Sequence, residues 1–222
     1  MIQRLKQWWN RSQKTLKIQK KKRLNHQKKM NNKAGKIIFF SGPSGVGKGT
    51  IINALREKHT DWVFPPSCTT RTPRPGEKDG ETYFFIDETT FRNKIATGEF
   101  LEFAEVHGKT LYGTLREKLL QPKNEGKIVI REFDVQGFKQ AREKLNRDDY
   151  ISIFVNIEGG KKELIKRITG RAPISDEELA ARMVSYDQEV AHIDLYDHVV
   201  YSKTGKIKAM IEETEKIIRT SI

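Results

Sequence analysis

Gly42-Pro43-Ser44-Gly45-Val46-Gly47-Lys48-Gly49-Thr50 is the stretch of this chain whose residue types and spacing could do chemistry. Glycines without a Cβ let the backbone curl until several N–H groups face one anion, and Lys48 adds a point charge for a further phosphoryl group. A loop of this kind binds nucleotide phosphates when it joins a strand to the start of a helix. Both flanks are present in the pattern. Ile37-Ile38-Phe39-Phe40 reads as a strand buried on both faces, and Ile51 to Lys58 reads as a helix. The competing reading is a plain glycine-rich turn ahead of a helix.

A second stretch, Ser67 to Phe85, contains Pro73, Pro75, Gly76 and Gly80, so it is not a helix. It sets Arg71 and Arg74 on a stiffened turn and Tyr83 on the strand that follows. Arginine forks bind phosphate oxygens bidentately, so these three side chains suit a second, immobile phosphate opposite the glycine loop. A basic turn facing solvent is the simpler alternative. Further on, Glu102 lies in Glu99-Phe100-Leu101-Glu102-Phe103-Ala104-Glu105, which also reads as the polar side of a half-buried strand, and Asp134 precedes Val135-Gln136-Gly137-Phe138, which also reads as a helix N-cap.

These elements need a scaffold, and the composition provides one. The chain has 222 residues, 36% hydrophobic and 32% charged, enough for one core with a small inserted subdomain. No apolar run approaches the ~20 residues of a membrane helix. A single cysteine, Cys68, excludes an intramolecular disulfide and points to a reducing, cytoplasmic setting. His26, His59, His107, His192 and His198 show no metal spacing. Charge is uneven: residues 1–33 hold 12 of the 42 Lys and Arg and none of the 29 Asp and Glu. That segment is expected to be a disordered extension, with the folded domain running from 34 to 222. Within it, Ile2, Leu5 and Trp9 have the spacing of a short amphipathic helix, and Lys20-Lys21-Lys22-Arg23 is a dense positive block. Nucleic acid, an anionic membrane surface and an organelle import system are its candidate partners. Met30 would also make an ordinary start just ahead of the first strand.

The loop form G-x-x-x-x-G-K-G-T resembles that of nucleoside monophosphate kinases. With Thr69-Thr70-Arg71-Thr72-Pro73-Arg74-Pro75-Gly76-Glu77-Lys78-Asp79-Gly80-Glu81-Thr82-Tyr83-Phe84-Phe85 added, the chain from about Lys36 onward is similar to the guanylate kinase family. The resemblance implies an α/β P-loop kinase fold, a parallel sheet flanked by helices, with a GMP-binding subdomain inserted at 67–115 and a lid at 160–182. It implies Mg²⁺-dependent transfer of the γ-phosphoryl group of ATP to GMP, and to dGMP as well, by a monomer or homodimer. Gly42 to Thr50 would hold ATP. Arg71, Arg74, Tyr83 and Tyr112 would hold the GMP phosphate, while Ser67, Glu102, Thr114 and Asp134 would read guanine. Lys48, Arg167, Arg171 and Arg182 would neutralise charge in the transfer, and Thr50 and Glu132 are the residues placed to act near the metal.

Base chemistry agrees with that assignment. Guanine offers N1–H and a 2-amino group as donors and O6 as acceptor, so its site wants carboxylates on one edge and hydroxyls on the other. Glu102 and Asp134 are the first, Ser67 and Thr114 the second. Departures from the family pattern are a turn one residue longer before Tyr112, Arg131-Glu132-Phe133-Asp134 where the family has L-D-I-D, Ala172-Pro173-Ile174 in the lid, and Ser202-Lys203 for an Asn-Asp pair. A non-catalytic binding module and a kinase for another base are the remaining readings. Retention of Gly42, Gly47 and Lys48 speaks against the first, and the carboxylates speak against the second.

Overall fold

In the computed structural model, residues 35–106 and 110–222 are described. The expected strand forms as β1 (Lys36–Ser41), and its four apolar residues are each 0% exposed. Alternation along the strand sends Ile38 and Phe40 into one core, and Ile37 and Phe39 into another on the opposite face. That two-sided burial is why the run is continuously apolar. It requires a parallel sheet covered on both sides. β1 pairs in parallel with β6 (Ile128–Glu132) and with β7 (Tyr150–Ile157), and β8 (His198–Ser202) completes the order β6-β1-β7-β8.

One face of the sheet carries α1 (Lys48–Lys58), α5 (Gly160–Thr169), α6 (Asp176–Val190) and α7 (Ile207–Thr220), which contribute Ile51, Leu55, Leu164, Tyr186 and Ile218 to the core. The other carries α3 (Arg116–Asn124) and α4 (Val135–Lys144), with Leu119, Phe138 and Ala141 buried against Phe39. Two bounds differ from expectation. The first helix begins at Lys48 rather than Ile51, and α6 runs on past 182, where the lid was expected to end, to Val190.

Between α1 and α3 the chain makes a second sheet of order β3-β2-β5-β4, from β2 (Ser67–Thr69), β3 (Tyr83–Phe85), β4 (Phe100–Val106) and β5 (Thr110–Leu115). It has its own small core, in which Cys68, Phe91 of α2 (Glu88–Ala96), Phe100 and Leu111 are buried. Gly113 is required there, because a Cβ would sit 2.9 Å from Phe100 Cδ1. Burial lifts the Cys68 thiol to about 11, so it is packed and little ionised. Two side chains of α4 clasp β4. The Gln140 amide exchanges bonds of 3.2 and 3.0 Å with Phe103 N–H and C=O, and Lys144 Nζ donates to the carbonyls of Phe100 at 3.2 Å and Leu101 at 2.8 Å. The second sheet is thereby fixed against the helix that follows β6.

Among the described residues no helix is long and apolar enough to cross a membrane. The readings made for residues 1–33, and the longer turn at 107–109, lie outside the described residues.

Candidate active site

A cleft of about 680 Å³ opens along the C-terminal end of β1 and β6. Its floor is the glycine loop. Gly42 has φ +133°, and a Cβ there would stand 2.1 Å from the Val155 carbonyl of β7, so only glycine lets β1 turn out of the sheet at this point. Gly47, at φ +111°, caps α1 in the left-handed region with no side chain bonded to the helix end, leaving the first N–H groups to face the cleft.

Lys48 Nζ donates to the Gly42 carbonyl and, at 3.1 Å, to the Pro43 carbonyl, and lies 3.5 Å from Glu132 Oε1. The lysine is 11% exposed and the glutamate 45%. Ser44, Gly45, Gly49 and Thr50 line the cleft beside them, and Val46 is buried beneath. Glu189, from the part of α6 that the sequence had not placed near the loop, lines the same cleft; burial pushes its carboxyl up against the opposing pull of Lys48.

Facing the loop, Ser67, Tyr83, Arg131, Phe133 and Asp134 line the cleft from the second sheet and the end of β6. Asp134 does cap α4, its Oδ1 accepting from Gly137 N–H at 2.7 Å, and it also lines the cleft. A Cβ on Gly137 would be 3.3 Å from Asp134 Oδ1 and 3.4 Å from Glu102 Oε2, which shows the two carboxylates converging on that glycine. Glu102 is 8% exposed and Thr114 fully buried just behind this wall. Burial raises the Glu102 carboxyl, and the Thr114 hydroxyl and the charge of Arg131 pull it back.

Arg71 is organised by a residue to which the sequence reading gave no role. Its Nη1 and Nη2 each donate at 2.6 Å to the Glu77 carboxylate, which also accepts from Arg74 N–H at 2.8 Å. The Arg71 fork, followed by that backbone bond, holds the Glu77 carboxyl at about 2. The Nε edge of Arg71 faces the Tyr112 hydroxyl at 3.3 Å, and the guanidinium lies 5.0 Å from the Tyr83 ring centre. Arg71, Tyr83 and Tyr112 therefore form one unit, with Arg74 exposed at its edge.

The three lid arginines separate. Arg171 lines the cleft itself, whereas Arg167 and Arg182 line, with Arg171, Ser44 and Gly45, an adjoining cavity of about 200 Å³. Arg167 braces the loop from behind, donating to Val46 C=O at 3.3 Å, Ser202 Oγ at 2.7 Å and Thr204 Oγ1 at 3.1 Å. Ser202, where the family pattern has asparagine, is part of that brace. Arg182 pairs with Glu178 at 2.7 Å on the exposed side of α6.

A glycine loop with its lysine at a helix start, faced across a cleft by a second sheet that carries the buried carboxylate of Glu102, defines a P-loop enzyme that handles a nucleotide. The guanylate kinase family model matches residues 34–221. The chain is 41% identical over 169 residues to a guanylate kinase of Trichormus variabilis, covering 76% of this chain and 83% of that one, and 38% identical over 187 residues to a guanylate kinase of Clostridium perfringens, covering 84% of each. It also matches the crystal structure of guanylate kinase from Anaplasma phagocytophilum with TM-score 0.64 and 30% identity, over 85% of this chain and 86% of that one. This chain belongs to the guanylate kinase family.

Proposed function

We propose that this protein transfers the γ-phosphoryl group of ATP to GMP, and to dGMP. The observation that carries the reading is the pairing, across one cleft, of a phosphate-binding loop with a wall holding Ser67 and Asp134, behind which the buried Glu102 carboxylate converges with Asp134 on Gly137. Carboxylates accept N1–H and the 2-amino group, and a hydroxyl donates to O6; adenine would leave the carboxylates unpaired. The contacts assigned are to base and phosphate, which is why the deoxy substrate is included.

In this reading Gly42 to Thr50 cradle the ATP phosphates on backbone N–H groups, and the Nε edge of Arg71, with Arg74 and the hydroxyls of Tyr83 and Tyr112, holds the GMP phosphate. Transfer between two phosphates so held is mostly positioning and charge neutralisation. Lys48 and Arg171, both lining the cleft, are the groups best placed to neutralise the transferring oxygens, Arg182 joins them from the adjoining cavity, and Arg167 keeps the loop in shape. Mg²⁺ bound with ATP supplies further neutralisation at the phosphoryl oxygens. The Thr50 hydroxyl and Glu132 carboxylate, both lining the cleft, are hard oxygen donors of the type it takes.

Residues 1–33 have no part in this chemistry; we read them as a dispensable, polyanion-binding extension of the domain at 34–222. The test is a coupled assay with GMP, dGMP, AMP, UMP and CMP as acceptors. GMP and dGMP should exceed AMP in kcat/KM by several orders of magnitude. Equal turnover of AMP and GMP would overturn the base assignment, and turnover of none would leave a binding module.

A further inference from the structure

Arg131 stands at the end of β6, where the family pattern has an apolar residue, and its guanidinium reaches out of the parallel sheet into the second one. Nε donates to Thr114 Oγ1 at 3.1 Å, Nη1 to the Pro65 carbonyl at 3.0 Å, and Nη2 to Ser67 Oγ. Its Cζ lies 5.6 Å from the Phe133 ring centre. Two of the three partners are hydroxyls of the base wall. The third group assigned to the base, the Glu102 carboxylate, is buried close by, within the field of Arg131.

The direction of these bonds has a chemical consequence. A guanidinium only donates, so each hydroxyl it touches must spend a lone pair on it and turn its own proton elsewhere. Thr114 is wholly buried behind the wall. Ser67, for which no other side-chain partner is found among the described residues, lines the cleft and is left with its proton free to point into it. Without the arginine a serine hydroxyl rotates freely and can accept as readily as donate.

We propose that Arg131 is a positioning residue for base specificity, which makes Ser67 a fixed donor and so selects a purine with an acceptor at C6. The proposal rests on the GMP reading above. Two observations besides the hydrogen bonds support it. Arg131 lines the cleft next to Ser67, and it is compensated from both sides, by Glu102 in the base wall and Glu132 at the loop. Burial pulls its pKa down and those two carboxylates pull it back, as expected for a cation built into a site rather than left on a surface.

The test is a cycle over enzyme and substrate. KM and kcat are measured for GMP and for 6-thio-GMP, which keeps N1–H and the 2-amino group but carries sulfur, a weak acceptor, at C6. In the wild type GMP should have the lower KM. Arg131→Met should raise KM for GMP roughly 3- to 10-fold, the range of one neutral hydrogen bond, and KM for 6-thio-GMP less than about twofold, with kcat and KM for ATP little changed. Arg131→Lys, which keeps the charge and loses the fork, should fall between. Ser67→Ala, in which Arg131 is untouched, should erase the difference between the two substrates and covers the case of an Arg131→Met chain that does not fold. Equal rises in KM for both substrates, or a difference that survives in Ser67→Ala, would overturn the role of Arg131 while GMP kinase activity of the wild type stands. A wild type inactive on GMP would remove both readings.

Discussion

Replacing Glu102 by glutamine should separate stability from function in opposite directions. The side chain is 8% exposed, and burial holds its pKa above the usual value of about 4.5. A carboxyl whose folded pKa is raised favours the folded state only below its unfolded pKa, and that contribution is lost as pH rises through the folded value. At pH 7, above the usual value, that contribution is lost at least in part, so the acid is held there at a cost. Glutamine has nearly the same shape and removes that cost, so Glu102→Gln should melt at the wild-type temperature or above at pH 7, with the gap closing as pH falls below about 4.5. Function should move the other way. The variant loses an ionised acceptor for N1–H or the 2-amino group, worth roughly 1.5–3 kcal/mol, or about 10- to 100-fold in KM for GMP. AMP should be affected less, because an amide can donate to N1 of adenine. A coupled assay with both nucleotides, and melting curves from pH 4 to 8, measure each part. A KM for GMP within threefold of wild type would refute the base-reading role, and a clear loss of thermal stability at pH 7 would refute the burial argument.

The remaining expectations concern the two phosphate sites and the N-terminal segment. Lys48→Ala should lower kcat by at least ~10² while GMP affinity by calorimetry stays within a few-fold, because the lysine sits among the loop carbonyls and Glu132 rather than near Arg71. Glu77→Ala should raise KM for GMP about tenfold at unchanged KM for ATP, since Arg71 loses its two-point anchor; steady-state kinetics with each substrate varied would show it. A chain beginning at Met30 should keep kcat/KM for GMP and melting temperature, and lose only the polyanion binding of the full chain, which should itself fall steeply from low to physiological salt. A several-fold drop in kcat/KM on truncation would show that the segment belongs to the working enzyme.

What the sequence determined by itself was whatever depends on neighbours in the chain. The glycine loop was legible because phosphate-cradling geometry is a property of consecutive backbone conformations, and Gly42, Gly45 and Gly47 do adopt positive φ. The strand Ile37-Ile38-Phe39-Phe40 was legible too, since a short, continuously apolar run is what a strand buried on both faces needs. The cap at Asp134 was also local. Tertiary structure alone decided which charges meet. Arg131 looked like a misplaced charge at a strand end until sheet pairing set it against Ser67 and Thr114, 64 and 17 residues away. Glu189 carried no local signal of its place beside the loop, because that depends on how far α6 continues past the lid. Arg167, in the last turn of α5, bonds Val46, whereas Arg171, two residues past the end of that helix, lines the cleft, a distinction that only the end of α5 and its packing on the sheet fix. Backbone preferences act over a few residues, whereas the partner of a long, charged side chain is whatever the topology brings within its reach, and that reach is not written in its neighbours.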